Sequence, residues 1–270
     1  MLVDFHIHTS NSDGEFDVSS IEKQLNRSNV KYASITDHNF WTNTLELKSE
    51  RIKWIQGIEL YAMYKGSIVH ILGYGLKNHS QIRILHQEYT EFIGNRLRIL
   101  LYQLLKQGIK INVTQFTKNT LNVSSITEAI KKELGVSKES CIYEKYISPI
   151  ILCKKNYLYW DYVKVINYLS DIGAVKVLAH PLHYNMNNKQ IYSMLGDMQR
   201  VGLDGMESIY NDYNIWQQKY LFEIAKEKEL LVTAGSDFHG IKRQQRLEDI
   251  KGIYYQDELM SQFLEALDNR

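Results

Sequence analysis

The chain opens with an apolar strand that carries two histidines, Leu2-Val-Asp-Phe-His6-Ile-His8, and that pair sets the tightest limit on the folds open to the chain. Side chains alternate faces along a strand, so His6 and His8 point the same way, about 6–7 Å apart. Two imidazoles on one face at a strand end make half of a metal site. Asp13 comes after a short Ser/Asn/Gly turn that can fold its carboxylate back toward them. A lone His-x-His pair is more often surface decoration than a ligand set. Its weight here comes from recurrence downstream.

Lys31 to Thr36 reads as a strand running into Asp37-His38, and Ile52 to Leu60 as a strand ending on Glu59. Ser67 to Tyr74 is a strand with His70 inside it, joined to its predecessor in hairpin fashion through Tyr64-Lys-Gly66. Ala174 to Ala179 ends in His180-Pro181. Leu203 to Tyr210 carries Glu207. Leu230 to Ser236 ends in Asp237-Phe-His239-Gly240, and Gly252 to Tyr255 is a short last strand. Helical patterns fill the gaps: Val18 to Ser28 with Asp17 as N-cap, Thr42 to Ser49, Asp161 to Ile172, Lys189 to Val201, Asp212 to Glu229, and a closing helix to Leu267. This alternation predicts an α/β fold. The major strands number about seven, and acidic and imidazole residues stand at the C-terminal ends of most, where a β/α barrel collects its active site.

Local details agree with ligand duty. Pro181 biases His180 toward extended backbone. Gly14, Gly235 and Gly240 stand where the chain must turn or pass close to another segment. Asp37 points away from its neighbour His38 and reads as a turn or supporting acceptor. Glu207 reads equally as a group orienting the site or as a core carboxylate bonded to backbone.

Between the two runs of strands the pattern changes. Ile82 to Gly108 is a long helical stretch stopped by Gly108. Val123 to Leu134 is a second helix, and Cys141 to Trp160 is Tyr-rich and less regular. The predicted organisation is a barrel of residues 1–76 and 161–270 interrupted by a mostly helical insertion, 77–160. His79 and His86 lie there and read as surface residues.

With 270 residues, 44% of them hydrophobic, the chain suffices for one large domain with an insertion. Its net charge of +1 excludes a global basic field for long duplex nucleic acid and leaves room for a local patch. Cys141 and Cys153 make no C-x-x-C pair, which fits a reducing cytoplasm. No leader pattern or membrane-length apolar run is present. The expectation is a soluble cytoplasmic protein.

Nine residues recur at the strand ends: His6, His8, Asp13, His38, Glu59, His70, His180, Asp237 and His239. Six of the chain's nine histidines are among them, a concentration that random placement would not give. Imidazole with carboxylate suits Zn, Mn or Fe. Nine donors exceed what one ion needs, which points to two or three ions, with Glu59 able to bridge. Such a centre ionises water near neutral pH and clamps the oxygens of a displacement at phosphorus. No P-loop, G-x-S-x-G elbow or G-x-G-x-x-G fingerprint competes.

As a set, His6-x-His8, Asp13-Gly14, Thr36-Asp37-His38, Gly57-Ile-Glu59, His70-Ile-Leu-Gly73, Ala179-His180-Pro181 and Gly235-Ser-Asp237-Phe-His239-Gly240 resemble the PHP (polymerase and histidinol phosphatase) superfamily. The chain is most similar to the stand-alone bacterial phosphoesterases, which include nucleoside 3′,5′-bisphosphate and AMP phosphatases and a 5′→3′ exoribonuclease. The resemblance implies a distorted (β/α)7 barrel with a trinuclear centre. It implies that His6, His8, Glu59 and Asp237 hold one ion, Asp13, His38 and His239 a second, and Glu59, His70 and His180 a third. It further implies a hydroxide that attacks phosphorus. Relatives often carry an Arg just after the His-Pro pair. Here the run is His180-Pro-Leu-His183, so His183 is the candidate phosphate contact or general acid, with Lys242 and Arg243 as further phosphate contacts.

The resulting expectation is a metal-dependent phosphoesterase acting on a small phosphorylated metabolite, nucleotide or short oligonucleotide. Catalytic roles fall to Asp13, His38, His183 and His239. Histidinol-phosphate phosphatase is the alternative within the enzyme class, disfavoured because those members commonly have His where Asp13 stands. A non-catalytic metal-binding regulatory module is the alternative outside it.

Overall fold

The computed structural model describes residues 1–47, 49, 51–77, 79–116, 122–136, 139–153, 157–240 and 243–270. Helices begin where a polar side chain can take up an orphan backbone N–H. Asp17 accepts from the backbone of Ser20 to open α1 (Val18–Arg27). The long α2 (His79–Lys106) ends just before Gly108, which sits at φ +83°. Asn122 and Ser125 form a reciprocal capping box at α3 (Val123–Leu134). After α4 (Glu139–Ile142) and α5 (Ser148–Ile151), Asp161 caps α6 (Tyr162–Asp171). Capping boxes of Asn187 with Gln190 and Asn214 with Gln217 open α7 (Asn188–Gln199) and α8 (Ile215–Glu227). The last helix is α9 (Asp257–Asp268).

The strands are β1 (Leu2–Ile7), β2 (Tyr32–Ile35), β3 (Lys53–Trp54), β4 (Gly57–Tyr64), β5 (Ser67–Tyr74), β6 (Val175–Leu178), β7 (Gly205–Tyr210), β8 (Leu231–Gly235) and β9 (Ile253–Tyr254). They form two sheets, β3-β2-β1-β9 and β4-β5-β6-β7-β8. The fold is α/β. β1 and β2 are parallel, as are β6, β7 and β8, while β5 runs antiparallel to β6. Lys65 and Gly66, both at positive φ, make the two-residue turn between β4 and β5 that a type I′ hairpin requires. The sheets meet at two isolated parallel bridges, Ile7 with Phe238 and His38 with Glu59.

Three elements differ from the sequence reading. The expected helix from Thr42 to Ser49 is absent among the described residues of that stretch. Asn43 Oδ1 accepts from Leu45 N, and the buried Gln56 amide bonds Trp41 and both the backbone and hydroxyl of Thr44. These local bonds outcompete helical ones. The strand from Ile52 to Leu60 is two strands, because the chain leaves one sheet at Ile55-Gln56 and enters the other. Gly57 makes the crossing possible: a Cβ there would lie 2.1 Å from Ser34 Oγ. Glu59 is therefore inside β4 and not at its end. Cys141 to Trp160 is more regular than expected, holding α4, a π-turn at Tyr143–Ile147 and α5, with Pro149 in the first turn of α5. A proline there has no N–H to lose to the preceding turn.

The chain divides into two compact units, one of Met1–Ala62, Val69–His86 and Asp161–Arg270, the other of Met63–Ile68 and Gln87–Trp160. In the first, Ile7, Ile21, Leu25, Ala33, Ile52, Phe238 and Ile250 form one buried cluster. Beside it the fully buried Phe5 packs against Phe263, Tyr255 and Tyr74 at ring separations of 5.0, 5.5 and 6.4 Å. Tyr74 also donates to the Phe5 carbonyl at 2.9 Å. In the second unit Tyr89 packs edge-on against Trp160 at 4.9 Å. Phe5→Ala should cost about 3–5 kcal/mol in urea denaturation measured with chelator present. A loss below about 1 kcal/mol would show that this aromatic group is not a core.

Candidate metal centre

Every residue of the centre belongs to the first unit. At the end of β1 the Nε2 atoms of His6 and His8 are 3.1 Å apart. Glu207, on β7, holds the other His6 nitrogen at 3.0 Å and takes the backbone N–H of His180 with its second oxygen at 2.8 Å. This fixes the His6 ring so that Nε2 faces Glu59 Oε2 and Asp237 Oδ1, both at 3.3 Å. His8 Nε2 lies 3.2 and 3.1 Å from the same two oxygens. The site tolerates no bulk behind it: a Cβ on Gly235 would meet His6 Cβ at 2.3 Å and Glu207 Oε1 at 2.4 Å.

Around Asp13 a second group gathers. His239 Nε2 is 3.2 Å from Asp13 Oδ1, and His8 Nδ1 and His38 Nε2 stand at 3.8 and 3.9 Å from its two oxygens. His239 Nδ1 donates to the Asp237 carbonyl, 2.8 Å away, which leaves the Nε2 lone pair facing Asp13. Half of the Asp13 side chain faces solvent, at 46% exposure, whereas the other carboxylates are sealed.

The third group shares Glu59. Its Oε1 is 3.0 Å from His70 Nδ1 and 3.3 Å from His180 Nε2, and those two nitrogens are 3.2 Å apart. The opposite oxygen, Oε2, lies 2.8 Å from His38 Nδ1 without making a hydrogen bond to it. Glu59 thus splits its oxygens between two donor groups. All nine residues singled out in the sequence come together.

His180 is not extended as Pro181 led us to expect. It adopts φ +25°, ψ 60°, and the chain then enters a single turn at Pro181–His183. Its N–H is pinned by Glu207 and its ring by Glu59, so the surroundings override the preference of a residue before proline. Asp237 likewise sits at φ +52°. Such left-handed backbone in non-glycine residues costs about 1–3 kcal/mol each and persists only where neighbours over-determine it.

Supporting groups surround the donors. Asp37 accepts from Thr9 N, Thr9 Oγ1, Ser12 Oγ and Thr42 Oγ1, tying the Asp13 loop to β2 and contributing no oxygen to the donor groups. Tyr184 accepts from His70 N and donates to the Ala179 carbonyl, each at 2.9 Å. Tyr210 donates to Asp237 Oδ2 at 2.9 Å, and the Arg243 guanidinium bonds the same oxygen. Tyr61 stacks on His38 with centroids 4.5 Å apart. His183 is exposed and outside the three groups. It stacks near His180 at 5.5 Å and meets Tyr210 edge-on at 4.7 Å. Lys242 lies outside the described residues.

Sequence reasoning missed Asp4. This fully buried carboxylate accepts from Ser236 N and Oγ and from His6 N. Burial pushes its pKa up to about 6, against the pull of Ser236. Its signal was present, since Asp4, His6 and His8 share one strand face by alternation.

The electrostatics of the bare cluster call for cations. Burial should favour neutral groups. Against that, the imidazoles of His38, His6 and His70 hold Glu59 well below the usual carboxylate range, and His6 and His8 do the same for Asp237. Burial also opposes charge on His6, yet Glu59, Glu207 and Asp237 push it well above an ordinary imidazole. His8 rises to about 9, burial being outweighed by the Asp237 and Glu59 carboxylates beside it. His70, buried and beside other imidazoles, falls to about 4 despite Glu59.

These residues fit metal ions. Glu59 Oε2, Asp237 Oδ1, His239 Nε2, His8 Nδ1 and His38 Nδ1 are buried without a hydrogen-bond partner, which is costly unless a cation takes that role. A tetrahedral ion with bonds of about 2.0–2.1 Å sets its donors roughly 3.3–3.4 Å apart. The contacts of His6 and His8 with each other and with Glu59 and Asp237 run from 3.1 to 3.3 Å.

No protein-family model matches the chain. It is 24% identical over 257 residues to a 5′-3′ exoribonuclease of Haemophilus influenzae, covering 87% of this chain and 89% of that one. It is also 24% identical over 253 residues to a phosphoribosyl 1,2-cyclic phosphate 1,2-diphosphodiesterase of Eggerthella lenta, covering 89% and 95%. Among solved structures it resembles an amidohydrolase from Chromobacterium violaceum with bound sulfate and no metal, at TM-score 0.74 and 20% identity over 99% of this chain and 97% of that one. A protein from Bifidobacterium adolescentis, provisionally assigned as a metal-dependent phosphoesterase, follows at TM-score 0.68 and 21% identity over 99% and 98%. The resemblance to phosphoesterases read from the motifs therefore extends along nearly the whole chain.

Manganese added to chelated protein should raise its melting point, since an ion at a hundredfold its dissociation constant stabilises the fold by about 2.7 kcal/mol. Glu59→Gln should lose most of that gain, and Glu207→Gln should weaken binding about 10–100-fold in a chelator competition titration. Identical melting with and without manganese would remove the metal centre.

Proposed function

We infer that this chain is a metal-dependent phosphoesterase that hydrolyses a phosphoric ester bond in a small phosphorylated metabolite, nucleotide or short oligonucleotide. The carrying observation is the meeting of nine imidazole and carboxylate residues in three adjoining groups, two of which share Glu59, with buried donor atoms left unpartnered. The named relatives, which cleave RNA and a cyclic phosphodiester, support the same class of reaction.

In this reading His6, His8, Glu59 and Asp237 would hold one divalent ion, Asp13, His38 and His239 a second, and Glu59, His70 and His180 a third, as Mn, Zn or Fe. Bound there, two or three such ions would bring a water's pKa toward neutrality and offset the charge of the ester. The chain's own groups do the positioning. Glu207 locks the His6 ring, the Asp237 carbonyl orients His239, and Tyr210 and Arg243 hold Asp237. Asp13 is half-exposed and His183 exposed, so both are open to a substrate arriving from solvent. His183 and Arg243 are our assignment for the substrate phosphate, with His183 as the candidate general acid.

We further propose a distorted (β/α)7 barrel built from residues 1–76 and 161–270, with 77–160 inserted. The bridges of Ile7 to Phe238 and of His38 to Glu59 support it, because they link β1, β2, β4, β5, β6, β7 and β8 in a cycle. A cytoplasmic location agrees with two free cysteines. Among the described residues no helix is long and apolar enough to cross a membrane.

The test is a parallel screen of p-nitrophenyl phosphate, 5′-AMP, 3′,5′-bisphosphoadenosine, histidinol phosphate and short RNA with manganese, before and after chelation. Turnover should appear with metal and vanish without it. Asp13→Ala and His239→Ala should each cut turnover at least about a hundredfold, as groups supporting metal ligands alone are worth 10–100-fold. Full metal occupancy with no turnover on any substrate would sink the enzymatic reading. Near-normal rates in either variant would strike the second ion from it.

A further inference from the structure

The net charge of +1 conceals a strong partition. The unit of Met63–Ile68 and Gln87–Trp160 carries 12 Lys and Arg against 6 Asp and Glu, a net of +6. The rest of the chain keeps 20 against 25, a net of −5. The unit that contributes none of the nine cluster residues therefore holds the positive charge.

Its described cations are ordered with aromatic rings. On α2, Leu97, Leu100 and Leu104 are buried, while Arg98, Tyr102 and Lys106 lie on the exposed side at positions i, i+4 and i+8. Each step of four residues advances about 6 Å along the axis. Tyr102 is 55% exposed, and the Lys106 ammonium sits 4.8 Å from the centre of its ring. Lys110 follows the turn at Gly108 that ends this helix and is also exposed. Elsewhere in the same unit Lys145 lies 5.0 Å from the Tyr146 ring, and Lys132 is exposed. A row of cations that tracks phosphates, with a ring face presented among them, is the chemistry that takes up single-stranded nucleic acid without regard to sequence.

We infer that this helical unit is a binding surface for single-stranded RNA, centred on Arg98, Tyr102, Lys106 and Lys110. The inference goes beyond the phosphoesterase reading, which already admits a short oligonucleotide, by assigning a surface of this unit that would hold one. Binding itself does not depend on that reading.

The test uses full-length protein in EDTA, so that RNA is not consumed, and fluorescence anisotropy with a labelled ten-nucleotide single strand. The variant Arg98→Glu/Lys106→Glu/Lys110→Glu is compared with a control of equal charge change in the other unit, Lys23→Glu/Lys189→Glu/Lys219→Glu, both checked for unchanged melting. Each phosphate contact contributes about 0.7 to the slope of log affinity against log salt for a single strand. The first variant should lower that slope by about 2 and weaken binding more than tenfold. The control should leave both nearly unchanged. Tyr102→Ala should weaken binding about fivefold or more, as loss of a stacked base does. Hydrolysis of p-nitrophenyl phosphate should be unaffected in all of them. Equal weakening in both charge variants, or no RNA binding by the unaltered protein, would overturn the inference. So would anionic phosphatidylserine vesicles being bound through the same residues in place of RNA. Absence of hydrolysis with RNA binding intact would sink the catalytic reading and leave this one standing.

Discussion

The centre exists because like-charged and easily protonated groups are forced together and compensate one another around Glu59. Its two oxygens face different imidazoles, with His6, His8 and His38 toward one and His70 and His180 toward the other. A buried carboxylate is unfavourable by itself, and so is a buried charged imidazole. Packed within about 3 Å, Glu59 and the imidazoles of His6 and His8 hold each other charged, while His70 is driven toward its neutral form, and several lone pairs still lack a donor. That surplus of unpaired acceptors is the physical reason the site demands cations.

The rest of the first unit serves this crowding. Strands and the turns that follow them bring donors from residues 6 to 239 into contact, and close approaches leave no room for side chains at Gly57 and Gly235. Strained backbone at His180 and Asp237 is held by bonds from Glu207, Tyr210 and Arg243. Stability elsewhere, as in the Phe5 cluster with Tyr74, Tyr255 and Phe263, allows that strain to persist. The charge partition between the two units reflects a similar division of labour: acidic groups predominate where cations are wanted, and basic ones where the cluster has no residues.

Much of this was legible because strand periodicity is local. Asp17 as a cap, the helix of Val123–Leu134 and the strand of Ser67–Tyr74 are all where the pattern put them. Misreadings came where a long-range contact overrode a local preference. Gln56 bonds turned Thr44 away from a helix. The switch between sheets broke one predicted strand into β3 and β4. Asp4 escaped notice because a single carboxylate in an apolar strand looks like a surface residue until its partner, Ser236, is known.

From the sequence alone came the donor types, their faces on the strands and the reaction class that such donors serve. Side-chain alternation and chemical identity are properties of a residue and its immediate neighbours. Only the tertiary structure decided which donor meets which: that His8 also borders Asp13, that Glu59 divides its oxygens, and that Glu207 orients a histidine 201 residues away. Those pairings depend on which strands lie side by side and in what register. Packing over the whole chain sets that, and no local pattern encodes it.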